Sequence, residues 1–131
     1  MFYYVENYDS SILSHSDLDE AIAFGSYFLN LDIDNIINIR YISASDPAWG
    51  YCDEEDDEYV IEINEKLTQE EKVETLFHEM VHIKQIASGV YDPDFSTWHG
   101  KRYDCNYLER PWEIEAFDLQ EKMTDEYFCR Q

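Results

Sequence analysis

Apolar and polar residues recur along this chain with two different periods, and the period sorts most of it into elements. "FYYV" at 2–5 is a short aromatic strand candidate. Over 16–30, "SDLDEAIAFGSYFLN", Leu18, Ile22 and Phe28 or Leu29 come round at helical spacing, with Ser16 as N-cap and acids in the first turn. "NIINIRYIS" at 35–43 is rich in β-branched residues and alternates loosely, which predicts a strand. Residues 44–59, "ASDPAWGYCDEEDDEY", carry no period and read as a loop. "YVIEIN" at 59–64 alternates cleanly and offers Val60 or Ile61, with Ile63, to a core. The strongest helical pattern follows, "TQEEKVETLFHEMVHIKQIASG", with Thr68 as cap, acids in the first turn and Gly89 as the stop. Residues 90–110 form a loop with a small hairpin turning at His99 and Gly100. "RPWEIEAFDLQEKMTDEYF" at 110–128 is a second strong helix with Pro111 in its first turn. The order strand, helix, strand, strand, helix, loop, helix predicts an α+β fold, and 131 residues without a Pro/Gly/Ser linker predict one domain over 1–131.

Composition narrows the function classes. An apolar fraction of 44% with 16% aromatics argues for a folded globule and against a disordered acidic tail. The formal charge of -21, from 30 acids against nine bases, argues against nucleic-acid binding, because that affinity comes from Lys and Arg. No run approaches the roughly 18 apolar residues of a membrane span. The N-terminal "MFYYVENYDS" carries no basic leader or secretory apolar stretch, and Cys52, Cys105 and Cys129 are odd in number without CxxC spacing. A cytoplasmic protein with free thiols is therefore expected. The six acids at 53–58 lack the ligand order of an EF-hand and read as a solvated turn.

One helix carries candidate chemistry. In "TLFHEMVHIKQ", His78 and His82 are four apart and project from the same face, one turn from each other. At roughly 100° per residue, Val73, Leu76, Phe77, Met80, Ile83 and Ala87 gather on one side, and the histidines fall opposite, with Glu71, Thr75 and Gln85. They therefore face solvent or a cleft, with Glu79 set to one side. HExxH on a helix supplies two neutral nitrogen ligands for zinc and a base beside the activated water. The alternating strand just before it is where an extended substrate would pair.

A catalytic zinc takes three protein ligands and keeps one position open. The metzincin extension fails, since Gln85 stands where Gly is required and Ser88 where the third His should be. His99 and the glutamates of "PWEIEAF" remain. On the last helix Trp112, Ala116, Leu119, Met123 and Tyr127 form an apolar stripe that Phe117 and Phe128 extend to one side. Glu113 falls inside that arc, whereas Glu115 lies among Asp118, Lys122 and Asp125 on the polar face. An acid in an apolar arc must be paired, protonated or on a metal.

"HEMVHIKQ" followed by "PWEIEAF" resembles the gluzincin zinc metallopeptidases, particularly the small single-domain forms of phages and bacteria. That resemblance, over residues 59 to 120, implies a minimal zincin-like domain: a small twisted sheet, an active-site helix and a C-terminal glutamate helix. It implies Glu113 as third ligand, with Ala116 as the small residue three positions on. Phe117 stands where many of the family carry Asp or Asn, so support for the ligand histidines must come from elsewhere. "HGKRY" (His99, Gly100, Tyr103) is similar to the motif from which SprT-like proteins take a third histidine, which keeps His99 as the alternative to Glu113.

The expected function is a Zn²⁺-dependent metallopeptidase acting on a peptide or protein substrate. His78, His82 and Glu113 are its metal ligands and Glu79 is its catalytic base. His99, Arg102, Tyr103 and Tyr107 are candidates for the oxyanion donor. Trp49, Trp98 and Trp112 read as anchors, and Lys101 with Arg102 as a basic pair that neutralises nearby acids. The alternatives are an acidic interaction or decoy protein, such as a DNA mimic or inhibitor, and a non-catalytic zinc-binding domain.

Overall fold

Strand pairing organises the N-terminal half. The computed structural model describes residues 2–6 and 13–129. In it β1 (Tyr3–Val5), β2 (Ile37–Ile42), β3 (Gly50–Glu55) and β4 (Glu58–Asn64) form one sheet in the order β1-β2-β4-β3. The first three neighbours run parallel, and β3 lies antiparallel at the edge beside β4. β4 is paired along both edges, and Tyr59, Val60, Ile61 and Ile63, which alternate between its two faces, are all buried.

Strand β3 corrects the loop expected over 44–59. A run of acids has low strand propensity and no alternation, so nothing local announces it; pairing with β4 supplies what propensity lacks. The side chains of 53–57 stay exposed. Asp56 and Asp57 both adopt left-handed backbone (φ 51° and 65°), the requirement of a two-residue hairpin turn.

Of the three helices, α1 (His15–Leu29), α2 (Gln69–Ala87) and α3 (Pro111–Cys129), α2 lies against β3 and β4, and α1 and α3 pack on α2. The cap of α1 is Ser14, not the expected Ser16. A cap needs extended backbone and an oxygen that reaches an amide of the first turn; Ser14 has both, accepting from the Asp17 N–H at 3.1 Å, while Ser16 is already helical. At α2 the expected cap forms a full box, with Thr68 Oγ1 accepting from Glu71 N–H and Glu71 Oε1 from Thr68 N–H. Phe24, Phe77 and Tyr127 bring the three helices together, with ring centroids 5.1–5.5 Å apart. Ala87, expected on the apolar face of α2, is exposed at its end.

Between α2 and α3 the expected loop holds a second small sheet of β5 (Tyr91–Asp92), β6 (Thr97–Trp98) and β7 (Lys101–Arg102), then a 3-10 turn at Tyr107–Glu109. Its β6–β7 hairpin turns at His99 and Gly100, both left-handed, as the sequence predicts. The architecture is α+β, and among the described residues no helix is long and apolar enough to cross a membrane.

Candidate metal centre

The helix wheel of α2 puts His78, Glu79 and His82 away from the apolar core, and α3 closes over them. All three are 5–6% exposed, and their ligand atoms lie within 4.8 Å of one another, a group that can hold a metal ion. Glu113 arrives from the first turn of α3. Its Oε1 lies 3.0 Å from Nε2 of His78 and 3.0 Å from Nε2 of His82, which explains an acid inside an apolar arc. Glu115, two residues on, is half-buried and accepts from Gln85 Nε2 at 3.1 Å, so it touches the site through Gln85.

Two carboxyl groups thus flank the histidines in opposite electrostatic settings. Burial pushes Glu79 up to about 8; the nearby His78 opposes the shift and the Glu113 charge adds to it. Burial also acts to raise Glu113, but hydrogen bonds and charge from the two histidines outweigh it and bring that carboxyl down to about 2. Environments that push two acids apart in this way assign them different work. Glu113 is the anionic partner of the ring nitrogens, and Glu79 is the carboxyl whose affinity for a proton burial raises.

The group opens on a cleft of about 860 Å³. Its walls include β3 from Gly50 to Glu54, with Tyr91, Tyr107 and Phe117. Phe117, exposed to the cleft, sets its ring 4.6 Å from that of His78, and Tyr91 stacks on Trp112 at 4.5 Å. Gly50 allows β3 to come this close. A Cβ there would stand 2.5 Å from the Glu62 carbonyl oxygen, 2.6 Å from Thr75 Cγ2 and 3.4 Å from Glu79 Oε2. Asn64 holds the segment that precedes it, donating to the carbonyls of Asp46 and Ala48.

Of the four candidate oxyanion donors the cleft receives one. Tyr107 lines it, and burial together with the charge and hydrogen bond of Glu113 holds its hydroxyl well above the usual range. His99 and Arg102 are exposed on the β6–β7 hairpin, and Tyr103 leans toward Trp112 at 6.4 Å; none of the three lines the cleft. Lys101 sits over the Tyr103 ring. Among the tryptophans Trp49 is at the cleft, Trp112 is buried, and Trp98 packs edge-on to His99.

Sequence reasoning passed over the groups that hold the histidines. His78 Nδ1 meets Gln120 Oε1 at 2.7 Å, and His82 Nδ1 meets Gln85 Oε1 at 2.8 Å. The signal for Gln85 was its i+3 spacing from His82, and for Gln120 its i+7 spacing from Glu113 on one helix face. In comparisons with known proteins, no family model, no curated protein and no solved structure matches the chain.

Proposed function

We propose that this chain is a zinc-dependent peptidase with a minimal zincin-like fold, in which His78, His82 and Glu113 hold the ion and Glu79 moves the proton. The observation that carries this reading is the meeting of two ring nitrogens on one carboxylate oxygen, beside a second carboxyl of opposite tendency, in an open cleft. The donor set fits zinc, which takes imidazole nitrogen and carboxylate oxygen and at catalytic sites uses three protein ligands. When bound, zinc supplies Lewis acidity that polarises a peptide carbonyl and lowers the pKa of a water.

The remaining work falls to the chain. Glu79 accepts a proton from the attacking water and returns it to the leaving amine, a role that suits a buried carboxyl near the cleft floor. Glu113 rather than Glu79 is the third ligand, because it is the carboxylate that stays ionised and touches both rings. Tyr107 is the donor to the oxygen that gains charge, since its hydroxyl belongs to the cleft. The substrate binds as an extended peptide along β3 and not along the alternating strand expected for it, because both edges of β4 are taken by β2 and β3 while the outer edge of β3 has no partner strand among the described residues.

Bound zinc per chain tests the reading, for wild type and for His78→Ala, Glu113→Ala and His99→Ala. One zinc per chain, lost in the first two variants and kept in the third, is expected. Zinc lost with His99→Ala and kept with Glu113→Ala would reassign the ligand. A wild type that takes up no supplied zinc would sink the peptidase.

A further inference from the structure

Each histidine of the centre belongs to a relay of the same composition. His78 Nδ1 faces Gln120 Oε1 at 2.7 Å, and Gln120 Nε2 donates to Glu74 Oε1 at 2.7 Å. His82 Nδ1 faces Gln85 Oε1 at 2.8 Å, and Gln85 Nε2 donates to Glu115 Oε1 at 3.1 Å and to the Trp112 carbonyl at 3.0 Å. Both relays join α2 to α3, and Gln85 is 1% exposed.

The partners decide which way each amide points. Carboxylates and a carbonyl only accept, so each amide must turn its NH₂ toward them and its oxygen toward the ring. That oxygen carries no hydrogen, so each Nδ1 must be the donor. A neutral imidazole with Nδ1–H keeps its lone pair on Nε2, and both Nε2 atoms face Glu113 Oε1 at 3.0 Å. Three acceptors directed at one another repel unless protons or a cation lie among them.

We infer that Gln85 and Gln120 are positioning residues for the metal, each fixing through a His–Gln–Glu relay the ring nitrogen that its histidine presents. The inference rests on the metal reading above and goes beyond it. A carboxylate set directly on a ligand histidine raises the basicity of the ring. Here a neutral amide separates the charges of Glu74 and Glu115 from the rings. The tautomer is thereby fixed while the rings remain the weaker donors of the two designs.

Zinc affinity by chelator competition tests it, together with the melting temperature of the metal-free protein and two-bond ¹H–¹⁵N spectra of the zinc-loaded rings. Wild type is expected to show Nδ1–H on both ligand histidines. Gln120→Leu is expected to weaken zinc binding by about 10- to 100-fold without a matching fall in the metal-free melting temperature. Should Gln120→Leu fail to fold, the double variant Gln120→Glu/Glu74→Gln carries the test. It keeps both bonds, brings the carboxylate onto the ring, and is expected to bind zinc at least as tightly as wild type. Either ring bound through Nδ1, wild-type affinity in Gln120→Leu, or weaker binding in the double variant would overturn the relay. A wild type that binds no zinc instead overturns the metal reading from which the relay takes its purpose.

Discussion

On one face of α2, Leu76, Phe77, Met80 and Ile83 are wholly withdrawn from water in the apolar core. On the other, Thr75, His78, Glu79, His82 and Gln85 are no more than 6% exposed, yet every one is polar. The first face is held by area, at about 25 cal/mol per Å² of apolar surface, and is indifferent to direction. The second turns on hydrogen bonds that hold both nitrogens of each histidine ring, to Glu113, Gln120 and Gln85, and these depend on direction. Degree of burial therefore does not tell core from site in this helix. The identity of each group's partner does.

Substitutions that separate the two faces sharpen the contrast. The largest expected effect is on activity alone: Glu79→Gln should lower peptide hydrolysis by about 10²- to 10⁴-fold, with zinc content and melting temperature close to wild type. Peptidase assay beside metal analysis checks it, and an active Glu79→Gln protein would remove the assigned base. The opposite pattern is expected at Phe77→Ala. It should cost about 3–5 kcal/mol in denaturant unfolding, because Phe77 is fully buried between Phe24 and Tyr127. Its folded fraction should bind zinc normally.

Metal addition probes the polar face as a unit. Zinc at about 100 times its Kd should stabilise wild type by about 2.7 kcal/mol, seen as a melting temperature that rises with zinc and falls back with chelator. His82→Ala should show no such rise. The smallest effect is expected where the sheet meets the polar face. Gly50→Ala must push a methyl against the Glu62 carbonyl and Thr75, a strain of about 1–3 kcal/mol. Hydrolysis should fall with it as β3 moves from the cleft, and unchanged stability would show that the edge strand has slack.

How much was legible follows from the range of each signal. The helices were read from 3.6-residue spacing and local caps; Thr68 and Glu71 announce α2, and Pro111 opens α3. Ser16 stands where a cap is expected and Ser14 is the cap found; both are serines close to the first turn, and only backbone geometry separates them. Strand β3 was missed because its signal lies in β4, across the hairpin, rather than in its own acids. The pairing of Glu113 with the histidines was foreshadowed by the wheel of α3, on which an acid fell among apolar residues and required a partner.

By itself the sequence determined the α+β class, the two-faced character of α2 and the i, i+4 placement of His78 and His82, since all of these follow from helix and strand periods within single segments. Only the tertiary structure decided that Glu113 reaches both rings, that Gln120 comes from α3 to hold His78, and that β3 forms the edge of the cleft. Those contacts join residues as many as 42 positions apart. Local periodicity carries no record of such distances; the packing of α3 on α2 sets them.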